Sequence, residues 1–180
     1  MTKAVLENGD IAIATLRTPS ALDDLRAKYP PTRLHVLKLD VANQEDITAA
    51  FEYAKRELGH IDIVFNNAAR GVIAEIEGTP DDVARKVFDV NFWGGMKVST
   101  EAIRFFREVN KPQGGRLWNI SSMASFFPFA SLGYYGASKH GNILESIRED
   151  CLMTDQSISS GRCDGSPCFR ARPKMEHQGW

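Results

Sequence analysis

Ser122-Met-Ala-Ser-Phe-Phe-Pro-Phe-Ala-Ser-Leu-Gly-Tyr-Tyr-Gly-Ala-Ser-Lys139 is the stretch around which the chain is organised. The apolar run from Arg116 to Ser121 reads as a strand, and its end, Asn119-Ile120-Ser121-Ser122, delivers a hydroxyl. An aromatic loop follows, and Tyr135 and Lys139 then stand four residues apart as a helix begins. Residues at i and i+4 share a helix face, so this phenol and ammonium can approach each other. A free phenol titrates at ~10 and exchanges protons poorly at neutral pH. A neighbouring cation favours the phenolate and lowers that value. Bringing it to roughly 7 takes about 4 kcal/mol of differential stabilisation, at about 1.4 kcal/mol per unit. A serine hydroxyl opposite the tyrosine can hydrogen-bond a substrate oxygen and hold it in reach. The set suits proton transfer to or from a carbonyl or alcohol oxygen.

Working outward, strands alternate with helices. Ala4 to Asn8 followed by Gly9 reads as the last turn of a helix with a glycine stop. Ile11 to Leu16 is a short apolar strand, and Ser20 can cap a helix through Leu22, Leu25 and Tyr29 that Pro30-Pro31 ends. Leu34 to Leu39 is the next strand, closing in Asp40-Val41. A helix from Gln44 to Leu58 carries Ile47, Ala50, Phe51 and Ala54 on one face and stops at Gly59. Ile61 to Phe65 is a third strand. Thr79-Pro80-Asp81-Asp82 starts another helix, with Thr as the cap and two acids at the positive dipole end. It runs to Asn110 with a deformation expected at Gly94-Gly95, and a last helix spans Tyr134 to Asp150. This alternation predicts a parallel α/β sheet in one domain over residues 1–150. Residues 151–180, rich in Gly, Pro and Ser and without apolar periodicity, read as an irregular or disordered tail.

Composition narrows the class. A length of 180 residues suits one domain with a sizeable core. The net charge of -1, with both signs interspersed, points to neither a nucleic-acid nor an anionic-membrane partner. No apolar run approaches the ~18–20 residues of a spanning helix, and Met1-Thr2-Lys3 opens no signal peptide. Cys151, Cys163 and Cys168 form no C-x-x-C pair and are odd in number, so a reduced, cytoplasmic setting is expected.

Tyr-x-x-x-Lys gains its meaning from its company. Asn66-Asn67-Ala68-Ala69 follows an apolar strand, Asn91 lies in Val-Asn-Phe-Trp-Gly, and Ser122 precedes Tyr135 by thirteen residues. In this order the elements resemble the short-chain dehydrogenase/reductase family, over about Ala4 to Asp150. The resemblance implies a doubly wound, Rossmann-like parallel sheet and a catalytic set of Ser122, Tyr135, Lys139 and Asn91. Tyr135 is preferred to Tyr134 because it alone has a lysine four residues on, and Ser122 to Ser121 on spacing. His140 lies about 100° around the helix from Lys139 and reads as structural or solvated. Met123, Phe126, Phe127 and Phe129 either wall an apolar substrate pocket or pack into the core.

The resemblance also implies a nicotinamide cofactor. Leu16-Arg17 stands where a doubly wound fold reads the adenosine ribose. An acid there favours NAD, whereas a neutral residue followed by Arg17 suits the 2′-phosphate of NADP, so NADP is preferred and NAD less so. Asp40 matches the residue that bonds the adenine amino group, with Val41 flanking the ring. Asn66, Asn67 and Ala68 line the cofactor, and Tyr135 and Lys139 meet its nicotinamide end. Asn91 matches the residue that kinks its helix and holds a proton-relay water; read without the family, it is a tolerated polar residue in mid-helix. Ala69 replaces the family's glycine.

One unit of the pattern is absent. Fewer than ten residues of regular structure precede the strand at Ile11, and Gly9 stands alone, so the family's first strand and its Gly-rich pyrophosphate turn are not in this sequence. In a strand order of 3-2-1-4-5 that strand is central. Without it the two halves of the sheet either close on each other or stay apart with open edges. Two functions are therefore expected: NADP-dependent interconversion of a carbonyl and an alcohol on a small apolar substrate, or a catalytically silent partial homologue that pairs with other chains. In either case the helices carrying Asn91 and Tyr135 are the expected surface for homo-oligomers.

Overall fold

The computed structural model describes residues 1–141. In chain order it contains α1 (Thr2–Glu7), β1 (Ala12–Leu16), a short 3-10 turn (Pro19–Leu22) leading into α2 (Asp23–Arg26), and β2 (Leu34–Lys38). Then come α3 (Gln44–Glu57), β3 (Ile63–Asn66), α4 (Asp81–Phe88), a wide π-type turn (Asp89–Gly94), α5 (Gly95–Glu108) and β4 (Arg116–Asn119). A final helix, α6, occupies residues 133–141. The α/β alternation is as the sequence predicts. The expected stretch of α6 beyond residue 141 and the tail at 151–180 lie outside the described residues.

The strands form two separate parallel pairs, β1 with β2 and β3 with β4. Ala12 is opposite Leu34, and Ile63 is opposite Arg116. Of the two outcomes expected for a sheet lacking its central strand, the halves stay apart. Bonds from Ala12 N–H to Arg33 and from Leu39 N–H to the Leu16 carbonyl turn alternate residues of β1 toward β2. Ile13 and Thr15 therefore direct their backbone groups to an open edge. On β3, Asp62 and Asn66 accept from Arg116 and Ile120, which leaves Ile63 and Phe65 on the other open edge.

Helix packing fixes the two halves. Leu6, Leu25 and Leu34 close over Ala12 and Ala14 on one side of β1–β2. A second core of Val41, Ile47 and Val98, with Phe51 and Val64 against it, joins α3 and α5 to β3. Gly94 ties the wide turn to the end of β2, because a Cβ there would come within 2.8 Å of Val41 Cγ2.

Several boundaries differ from expectation. Thr79 does not cap α4: its hydroxyl donates to the Glu75 carbonyl, and Pro80 takes the cap position. Ser20 does not start a helix either, since the 3-10 turn begins at Pro19 behind Thr18. The expected deformation in the long helix is present, but it begins earlier, at Asp89, and embraces Asn91 before ending at the glycine pair. Asn43 caps α3 by accepting from Glu45 N–H, and Gly59, at φ +69°, ends it as expected.

Candidate active site

α6 is wedged between two turns, and small residues allow it. On one side a Cβ on Gly136 would lie 2.8 Å from the Ala124 carbonyl, and His140 Nδ1 is 2.9 Å from the Ser125 carbonyl. On the other, Ser138 bonds Asn91, and a Cβ on Gly141 would lie 2.9 Å from the Phe92 ring. Between these faces Lys139 reaches inward, and its ammonium donates to the Ile120 carbonyl at 2.7 Å. Lys139 is only 2% exposed, and burial lowers its pKa from the ordinary lysine value. It is not the solvated lysine of an amphipathic helix start. His140 is structural, joined to the Ser125 carbonyl.

The serines divide in use. Ser121 Oγ is 2.8 Å from Ser125 Oγ, an internal pair. Ser122 Oγ accepts from Ala124 N–H at 3.2 Å and so caps the short 3-10 turn Met123–Ser125. Accepting uses a lone pair and leaves the Ser122 O–H free to donate. Tyr135 is half-buried on α6. Tyr134 instead lines an outer cleft of about 380 Å³ with Asp81, Arg85, Phe88 and Trp93. Ser122 and Tyr135 thus sit on elements that touch each other at Gly136 and Ala124.

Asn91 is fully buried, and its amide is locked. Its Oδ1 accepts from Arg70 N–H at 2.7 Å, and its Nδ2 donates to the Arg70 carbonyl and to Ser138 Oγ at 2.8 and 2.9 Å. Asn66 is likewise turned inward: Nδ2 donates to Asn119 Oδ1, and Asn119 in turn donates to Ser99. This chain links β3, β4 and α5, and Asn66 Oδ1 accepts from Ala68 N–H in the exposed Asn67-Ala68-Ala69 segment. Ser138 and Asn119 were not singled out by sequence reasoning. A buried polar residue inside a helix start or a strand end has no periodic signature, although Ser138 falls beside Lys139 in the deciding stretch.

The remaining residues lie at strand ends. Arg17 is exposed at the end of β1, with no ion pair among the described residues. One oxygen of Asp40 accepts from Ala42 N–H, the turn chemistry common at strand ends. Val41 is buried in the second core against Gly94. Met123, Phe126, Phe127 and Phe129 are all exposed, with Met123 and Phe126 each at 68%, so they do not pack into the core.

Residues 1–148 match the short chain dehydrogenase family, and the chain belongs to it. It is 37% identical over 139 residues to the uncharacterized oxidoreductase C162.03 of Schizosaccharomyces pombe, covering 77% of this chain and 45% of that protein. A short-chain dehydrogenase of Streptomyces avermitilis has the same fold, with a TM-score of 0.74 and 30% identity over 81% of this chain and 52% of that one. A serine dehydrogenase in its closed form with NADP+ gives 0.78 at 23% identity, over 85% and 60% of the two chains. The chain spans about half the length of the curated relatives it matches. The family is one of NAD(P)-dependent oxidoreductases of small molecules. No helix among the described residues is long and apolar enough to cross a membrane.

Proposed function

We propose that this chain carries the proton-transfer site of an NADP-dependent oxidoreductase that interconverts a carbonyl and an alcohol on a small apolar substrate. The observation that carries the reading is the buried Lys139 ammonium, anchored on Ile120 directly behind Ser121-Ser122 and one helical turn from Tyr135. Tyr135 gives or takes the proton at the substrate oxygen. Lys139 supplies the cation one helical turn from the phenol, Ser122 donates its free O–H to the same oxygen, and Asn91 holds the wide turn beneath them. The exposed Met123, Phe126, Phe127 and Phe129 offer the apolar wall.

The residues fit the two ends of the cofactor. Arg17 is exposed and free for a 2′-phosphate; Asp40 and the backbone at buried Val41 would flank the adenine, and the end of β3 at Asn66 with the exposed Asn67 and Ala68 after it would line the rest. Lys139 has three N–H donors, one of which the Ile120 carbonyl takes, leaving capacity for ribose hydroxyls. When bound, the nicotinamide supplies or accepts the hydride at the carbon to which the oxygen is attached. The site works in a reducing, cytoplasmic setting, and copies pair through α4, α5 and α6.

A second reading, a silent homologue that pairs with other chains, draws support from the open edges of β1 and β3. Titrating NADPH fluorescence and assaying an aldehyde and ketone panel separates the two. Micromolar binding with turnover abolished by Tyr135→Phe supports the enzyme. Wild-type turnover in Tyr135→Phe overturns the assignment of Tyr135, and dimerisation without NADPH binding favours the silent partner.

A further inference from the structure

The Ser138 hydroxyl has two partners, one on each side of a helix junction. It accepts from Asn91 Nδ2 at 2.9 Å and donates to the Tyr135 carbonyl at 2.8 Å. Both Asn91 and Ser138 are fully buried, so neither bond competes with water. The Asn91 amide has a single workable orientation, because a flip would set its NH2 against Arg70 N–H and its oxygen against the Arg70 carbonyl. The Ser138 hydrogen therefore goes to Tyr135, three residues back on its own helix. Bonding of this kind from a serine to an earlier carbonyl bends a helix locally. Three residues on, Gly141 lies against the Phe92 ring, so Asn91 and Phe92 face Ser138 and Gly141 as neighbouring pairs.

We infer that Ser138 is a positioning residue: it couples the wide turn at Asn91 to the first turn of α6 and so sets where the Tyr135 phenol stands relative to Lys139 and Ser122. The inference rests on the reading of Tyr135 as the proton donor, but its test does not depend on turnover. The side chain touches no reacting atom. Its oxygen bridges a rigid amide to the carbonyl of the residue that bears the phenol, and Lys139 follows it immediately in the chain.

The test uses the whole 180-residue chain labelled with 13C at tyrosine Cζ. The Tyr135 resonance, assigned from Tyr135→Phe, is titrated with pH in wild type, Ser138→Ala and Ser138→Thr. The inference expects Ser138→Ala to displace the Tyr135 titration curve and Ser138→Thr, which keeps the oxygen, to restore it. Where turnover is measurable, Ser138→Ala lowers kcat about tenfold with KM little changed, the size expected when one buried hydrogen bond is broken. An unchanged Tyr135 titration in Ser138→Ala overturns the inference, whether or not the protein turns over any carbonyl. Absence of turnover in wild type, with the Tyr135 titration still dependent on the Ser138 oxygen, overturns the enzymatic reading alone. If Ser138→Ala gives no cooperative melt, Ser138→Cys takes its place in the same comparison. It fills the site with a slightly larger atom that offers only a weak donor and acceptor.

Discussion

The Lys139 ammonium donates to the Ile120 carbonyl at 2.7 Å from inside the protein, with no carboxylate among its described hydrogen-bond partners. Desolvation there favours the neutral amine, so its pKa lies below the ordinary 10.5. Between the lowered value and 10.5 the unfolded chain binds more protons than the folded one, and stability rises with pH through that window. The cost of the buried charge is greatest below the lowered value. In Lys139→Met this contribution is absent. Unfolding free energy followed in urea from neutral pH to 10.5 should rise for wild type relative to Lys139→Met. Parallel pH profiles for the two proteins refute the buried ammonium.

At Gly136 α6 meets the turn after β4, with 2.8 Å between its projected Cβ and the Ala124 carbonyl. The obstacle is backbone, which cannot rotate away as a side chain would. Gly136→Ala should therefore lose about 1–3 kcal/mol. Gly71→Ala, where a Cβ meets nothing within 4 Å, should stay within about 0.5 kcal/mol of wild type. Thermal melts of both variants decide it, and equal losses would mean that the helix does not sit against Ala124.

Asn110 acts as a strand partner ahead of β3. Its Oδ1 accepts from Ile61 N–H at 3.0 Å, and its Nδ2 donates to the Ile61 and Gly114 carbonyls at 2.7 and 2.6 Å. The residue is fully buried. Asn110→Ala leaves these backbone groups without their partner, at a cost of about 3 kcal/mol. Asn110→Asp should cost nearly as much, because a carboxylate supplies no donor for the two carbonyls. Chemical denaturation measures both, and a loss under about 1 kcal/mol in Asn110→Ala would show that water replaces the amide.

The sequence made the strand and helix order legible because apolar periodicity and glycine stops are local signals, as at Ile47, Ala54 and Gly59. It was less clear wherever a tertiary contact decided the outcome. Thr79 looks like a helix cap by type, yet the helix begins one residue later with Pro80 at the cap position, and the Thr79 hydroxyl donates back to the Glu75 carbonyl. The wide turn runs from Asp89 through Asn91 to Gly94, longer than the glycine pair alone suggests, because the backbone of Arg70 and the Ser138 hydroxyl engage the Asn91 amide. Gly94, at its end, allows close approach to Val41. For the site, the spacing of Ser122, Tyr135 and Lys139 could be read directly. The depth of Lys139 could not, since it depends on the Ile120 carbonyl nineteen residues away.

Arg17 provides a test of cofactor choice that leaves the proton-transfer residues untouched. It stands at the end of β1, exposed and without an ion pair among the described residues, beside neutral Leu16. A guanidinium in that position gains from pairing with a phosphate on the ribose and gains little from a bare hydroxyl. Adenosine 2′,5′-bisphosphate should therefore bind more tightly than adenosine 5′-monophosphate. Arg17→Ala should weaken the first about tenfold, equivalent to about 1.4 kcal/mol, and leave the second nearly unchanged. Arg17→Glu should reverse the order, because a carboxylate repels the 2′-phosphate and can accept from the ribose hydroxyls. Raising the salt concentration should reduce the difference between the two ligands in wild type but not in Arg17→Ala, since an exposed ion pair is screened. Calorimetric titration of both ligands against the three proteins measures each of these. If wild type binds both ligands equally, Arg17 does not read the 2′-phosphate.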